Sequence, residues 1–70
     1  MSQNTTFEVH VQRGGQWTIH QTYKGHQREE AVEEAKVQLS DHPGLDAVKV
    51  VKETLDPDSG IFNDSVIFKA

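Results

Sequence analysis

The sequence predicts an α+β domain in the order ββαββ, with a four-stranded, mainly antiparallel sheet and one helix packed on one face. Apolar and polar residues alternate near both ends of the chain, a helical period of apolar residues occupies the middle, and glycine or proline separates the segments. We expect residues 1–70 to form one domain, in which residues 1–6 lack regular structure. A short helix covers one face of such a sheet, so the other face is expected to be bare.

Residues 7–12 and 17–23 are the first two predicted strands, because apolar and polar residues alternate along both. If their apolar residues share a face, the numbers of paired residues must add up to an even value. This condition excludes a two-residue Gly-Gly turn and favours the three-residue turn Arg13-Gly14-Gly15 with a bulge. The resulting register places Glu8 opposite His20.

The segment from Gln27 to Asp41 has helical periodicity and ends before Pro43-Gly44. Four apolar residues form its buried stripe, namely Ala31, Val32, Ala35 and Leu39. Four acidic residues occupy the other side, namely Glu29, Glu30, Glu33 and Glu34. Val37 lies away from the stripe and is expected to be exposed. These glutamates with Val37 are a candidate docking surface for a basic partner, but the simpler interpretation is a solvated helix face.

Residues 47–53 and 62–69 are the third and fourth predicted strands, joined by a turn at Asp56-Pro57-Asp58-Ser59-Gly60. The alternation of the third strand breaks at Val50-Val51, so one of these valines faces outward or a bulge intervenes. The turn has a superficial likeness to a calcium-binding loop, but isoleucine stands where an EF-hand needs glycine and glutamate.

Candidate binding residues follow from the alternation of the strands, which predicts the side chains on the bare face. Those singled out as a binding surface are Glu8, His10, Thr18, His20, Thr22, Lys24, Lys49, Val51, Ile67 and Lys69, with Gln12, Glu53 and Ser65 beside them. The five aromatic residues are predicted to lie under the helix, namely Phe7, Trp17, Tyr23, Phe62 and Phe68. Covered aromatics argue against a sheet that stacks RNA bases.

Composition excludes several classes of function. The chain has 70 residues and no cysteine, which removes thiolate catalysis and the usual structural zinc sites. Its formal charge of −4 argues against a general nucleic-acid binder. The N-terminal segment lacks the pattern of an export signal and no apolar stretch could cross a bilayer, so a cytoplasmic protein is expected.

Three functions are compatible with this pattern. The first is a non-enzymatic interaction module that engages a protein partner, or itself as a homodimer, through the bare sheet face or a strand edge. The second is an anion or nucleic-acid binder that uses the lysines and histidines of the bare face. The third is a small metal-assisted enzyme built around Glu8, His10 and His20. No cofactor and no dedicated metal site are expected, since no diagnostic ligand spacing is present.

Overall fold

Strands and helix follow one another as the sequence predicts in the computed structural model, which describes residues 4–70. The elements are β1 (Asn4–Arg13), β2 (Gln16–Lys24), α1 (Arg28–Asp41), β3 (Ala47–Leu55) and β4 (Phe62–Lys69). Because β1 begins at Asn4, the expectation that residues 1–6 lack regular structure is wrong for residues 4–6, and residues 1–3 lie outside the described part. Within residues 4–70, α1 is too short and too polar to span a lipid bilayer.

The strands form one antiparallel sheet in the order β2-β1-β3-β4. Each hairpin therefore occupies one half of the sheet, and the pairing of β1 with β3 joins the halves at the centre. This arrangement confirms the predicted fold class. It also makes β2 and β4 the edge strands of the described sheet.

The core lies between α1 and one face of the sheet. Ala31 and Ala35 of the helix are fully buried, and their small side chains leave room for Val9, Val48 and Val50, which are also fully buried. Burial of each valine stabilises the fold by about 1.5–3 kcal/mol. The helix turns its predicted apolar stripe to the sheet, since Val32 and Leu39 pack at the margin of the same cluster.

The β1–β2 hairpin differs from its prediction. Arg13 pairs with Gln16, so the connection is a two-residue turn in which Gly14 (φ 60°) and Gly15 (φ 82°) both adopt left-handed conformations. A β-bulge at His20 inserts one extra residue into β2, because Val9 pairs with Gln21 while His10 pairs with Ile19. The parity argument fails because the bulge changes the parity halfway along the hairpin. Glu8 consequently pairs with Thr22 and not with His20.

The β3–β4 hairpin contains a second bulge. Val50 pairs with Phe68 while Val51 pairs with Val66, so Ile67 is the extra residue of β4. The turn before it forms as predicted: Gly60 has φ 73°, and the Asp56 side chain accepts a hydrogen bond from the Asp58 backbone N–H at 3.0 Å. Val51 faces away from the helix while Val50 lies in the core, so the first alternative raised at Val50-Val51 is confirmed; the bulge lies in β4 and not in β3, whose pairing with β1 is regular.

Candidate interaction surface

The sheet face opposite α1 is the principal candidate site, and we call it the uncovered face because nothing in residues 4–70 packs against it. β1 shows which residues belong to this face. Phe7 and Val9 are buried under the helix, so the residues that alternate with them, such as Glu8, face the other way. Cross-strand pairing extends the assignment to the other strands. The residues of the central part of this face are Glu8, His10, Gln12, Trp17, Ile19, Thr22, Lys24, Lys49, Val51, Glu53, Asp64, Val66 and Lys69.

Four cross-strand pairs on β3 and β4 form a strip along the uncovered face, which we call the β3–β4 strip. In order along the strands, the pairs are Leu55–Phe62, Glu53–Asp64, Val51–Val66 and Lys49–Lys69. The strip thus consists of an apolar pair, an acidic pair, a second apolar pair and a basic pair. Members of one pair lie about 4.5–5.5 Å apart at Cβ.

Two apolar side chains of this strip are exposed to solvent. Phe62 is 59% exposed and Val66 is 54% exposed, while Val51 is shielded by its neighbours on the sheet. The alternation of β4 predicted Val66 on the covered face together with Phe68. The bulge at Ile67 separates them, because it places Val66 opposite Val51 and leaves Phe68 opposite the core residue Val50.

Trp17 and Ile19 lie on the β2 side of the uncovered face, where Ile19 is 56% exposed. The Nζ atom of Lys49 lies 4.3 Å from the centroid of the Trp17 ring. The prediction that all five aromatic residues lie under the helix is therefore wrong for Trp17 and Phe62. It is confirmed for Phe7, Tyr23 and Phe68, which pack in or against the core.

Four residues predicted on the uncovered face lie on the helix side. His20 contacts the helix, Thr18 pairs with the core-facing Val11, Ile67 packs against the core, and Ser65 pairs with Lys52, which lies beside Phe7. The cause is again the two bulges, which reverse the facing of every residue on one side of them. The other candidates keep their predicted face, namely Glu8, His10, Thr22, Lys24, Lys49, Val51 and Lys69.

Glu8 and His10 form a hydrogen-bonded pair on the uncovered face, with His10 Nε2 donating to Glu8 Oε1 at 3.0 Å. His20 is on the opposite face, so the proposed cluster of Glu8, His10 and His20 does not assemble. Across residues 4–70, no group of three or more His, Cys, Asp or Glu side chains is placed to hold a metal ion.

Three carboxylates share the uncovered face with three lysines, so its formal charge is balanced. Glu53 has a raised pKa because of desolvation first, then the negative charges of Glu8 and Asp64 and a hydrogen bond with Asp64. Asp64 was not among the residues expected here, and His20 is absent from this face. The face therefore holds one more carboxylate and one fewer histidine than predicted.

The acidic cluster of the helix is divided between solvent and sheet. Glu29, Glu30 and Glu33 are exposed as predicted, and so is Val37. Glu34 instead lies against β2, where His20 Nε2 donates to its Oε2 at 3.0 Å and the Gln38 amide donates to the same atom at 2.9 Å. The prediction that Glu34 belongs to the solvated face is wrong, because its partner His20 was assigned to the other side of the sheet.

Tyr23 adjoins this cluster at the margin of the core. Its pKa is raised by desolvation, and further by the negative charges of Glu34 and Glu30. A raised pKa keeps the phenol protonated to a higher pH than in an ordinary tyrosine.

An open groove of about 800 Å³ lies at the end of the sheet where β1 begins. Its walls include Phe7 and Lys52 from the helix side and Glu53 and Phe62 from the uncovered face. The lining thus comes from both faces of the sheet, and the groove is open to solvent rather than enclosed.

Comparison with protein-family models, with curated proteins and with solved structures finds no match to this chain.

Proposed function

We propose that this chain is a non-enzymatic interaction module that binds a protein through its uncovered sheet face. The observation that carries the proposal is the exposure of Val66 and Phe62 on a face that also presents an acidic and a basic pair of side chains. Apolar side chains in a charged surround are typical of protein interfaces, where they supply the buried centre and the charges supply specificity.

The bulges favour the face of the sheet over its edges as the binding surface. Both edge strands of the described sheet contain one, at His20 in β2 and at Ile67 in β4. A bulge disrupts the regular ladder and increases the local twist, which is a common protection against the addition of a further strand.

The charge balance favours a protein over a polyanion. Nucleic-acid affinity depends on lysines and arginines that neutralise phosphates, and here Lys24, Lys49 and Lys69 share the face with an equal number of carboxylates. The anion-binding alternative predicts an oligonucleotide affinity that falls strongly with salt. The carboxylates on this face oppose such binding, because they repel phosphates.

The proposal is tested by immobilising the chain and capturing proteins from an extract of its source cells. The informative variant is Val66→Gln, and the control is Ile61→Gln, because Ile61 is equally exposed but lies in the turn before β4. We expect wild type and Ile61→Gln to retain the same protein, and Val66→Gln to retain at least about tenfold less. Equal capture by Val66→Gln would overturn the proposal, and so would the absence of any captured protein together with a wild type that stays monomeric at about 1 mM in sedimentation velocity.

A further inference from the structure

We propose that the partner is a second copy of this chain, docked face to face about a twofold axis that crosses the strands at the Val51–Val66 pair. This inference rests on the proposed function, since it takes the uncovered face as the binding surface. It adds the identity of the partner and the orientation in which it docks.

The order of charges along the β3–β4 strip is self-complementary. An acidic pair, Glu53–Asp64, lies on one side of the Val51–Val66 pair, and a basic pair, Lys49–Lys69, lies on the other. A twofold axis across the strands at the central pair exchanges the two sides. It therefore places the acidic pair of each copy against the basic pair of the other, with the exposed Val66 side chains of the two copies meeting at the centre.

The opposite choice of axis is unfavourable. A twofold axis parallel to the strands leaves each pair at the same position along the strands. Acidic pairs would then meet acidic pairs, and lysines would meet lysines. Glu53 already lies beside Glu8 and Asp64, whose negative charges add to desolvation in raising its pKa, so further negative charge would be costly there. Charge complementarity thus selects one of the two aligned arrangements.

The dimensions suit this packing. Packed sheets lie about 10 Å apart, a gap that a lysine and a carboxylate side chain can bridge from the two sides. A four-stranded face of this length buries on the order of 500 Å² in each copy, or about 1,000 Å² in total, which is at the lower limit for a specific interface. A reversible dimer of modest affinity is the expected species.

Glu8 provides an internal check on the position of the axis. It pairs with Val51 on the same cross-strand line, so the axis brings it near its own copy in the partner. This approach of two like charges opposes association. Glu8→Gln should therefore strengthen the dimer by a few-fold, the size expected for a partly exposed pair of like charges.

The deciding experiment is charge reversal with complementation, followed by sedimentation velocity from about 10 µM to about 1 mM. The variants are Asp64→Lys and Lys69→Glu, two exposed residues on β4 that the axis places opposite each other between copies. Each variant alone brings like charges together at two symmetric places. We expect each to weaken the dimer at least about tenfold, and their equimolar mixture to restore association.

Two further measurements keep the result interpretable. Lys52→Glu is the matched control, because Lys52 lies on β3 but on the helix side, and it should dimerise as wild type does. Glu53→Lys with Lys49→Glu repeats the complementation on β3 if a β4 variant is unfolded by circular dichroism.

A monomeric wild type at the highest concentration, or a mixture that stays monomeric, would overturn the dimer. The capture experiment separates this failure from that of the proposed function: a different protein retained by wild type and lost by Val66→Gln leaves the interaction module standing without the homodimer.

Discussion

Lys49 reaches across the intervening strand β1 to place its Nζ atom 4.3 Å from the centroid of the Trp17 ring. The contact links β3 to the edge strand β2 on the face that the helix does not cover. It holds the indole, which is only partly exposed, against the sheet. The uncovered face is therefore ordered by its own side chains before any partner binds.

Lys49→Gln is expected to lower the free energy of unfolding by about 0.5–1 kcal/mol, because it removes the cation from the face of the Trp17 ring. Urea unfolding followed by the fluorescence of this one tryptophan measures the change, at a concentration too low for association. Lys52→Gln, on the same strand but on the helix side, is the control. Equal losses in both variants would mean that the ring contact contributes nothing.

The Gly14-Gly15 turn should tolerate asparagine but not a β-branched residue. Both glycines have positive φ, and a Cβ added at either meets no atom within 4 Å, so the penalty is conformational and not steric contact with neighbours. Gly14→Asn is expected to change stability little, whereas Gly14→Val should cost about 1–2 kcal/mol. Thermal unfolding of the two variants checks this. Similar melting temperatures would argue against the left-handed turn.

Sequence periodicity predicted the elements of this fold but not the facing of the residues in its edge strands. The helix stripe was predictable because hydrogen bonds within the helix itself set its repeat. Residues four apart, such as Ala31 and Ala35, therefore lie on the same buried face. A bulge is different, because an extra residue such as His20 or Ile67 is defined by the strand opposite. Each bulge reversed the side chains beyond it, which hid the exposed Val66.

The same error concealed the link between β2 and α1. With His20 assigned to the bare face, Glu34 had no visible partner and was grouped with the solvated glutamates. The structure joins them by a hydrogen bond of 3.0 Å. The one local sign was Gln21, which stands where the alternation of Trp17, Ile19 and Tyr23 requires an apolar residue, and it does not by itself define the facing of His20.

Glu34→Gln is expected to lower the pKa of Tyr23, because a negative charge that raises it is removed. The pKa should stay above its ordinary value of 10.0, since desolvation is the larger cause and persists. Absorbance at alkaline pH reports this single tyrosine. Glu33→Gln, an exposed neighbour on the helix, should leave the titration unchanged. An identical shift in both variants would contradict the proximity of Glu34.

Stability of the monomer should fall as the pH rises through the pKa of Glu53. The folded chain holds this proton more tightly than the unfolded chain, whose glutamate titrates near the ordinary value of 4.5. The destabilisation is absent below that value and complete above the raised pKa. Thermal unfolding of dilute protein across this window should show the decrease in wild type. The decrease in stability should be smaller in Glu53→Gln. If stability instead rises with pH in wild type, and Glu53→Gln abolishes that rise, the raised pKa of Glu53 would be contradicted.

Association of two copies should have the opposite pH dependence. In the proposed dimer the partner's Lys49 lies against Glu53, which lowers the pKa of this carboxyl group below its value in the monomer. Binding is then strongest where the carboxylates are ionised, and it weakens as the pH falls from about 7 towards about 4. Sedimentation velocity at fixed concentration across this range measures the effect, and Glu53→Gln should flatten it. A dimer that tightens on acidification would instead indicate the parallel axis, in which protonation relieves the repulsion between facing acidic pairs.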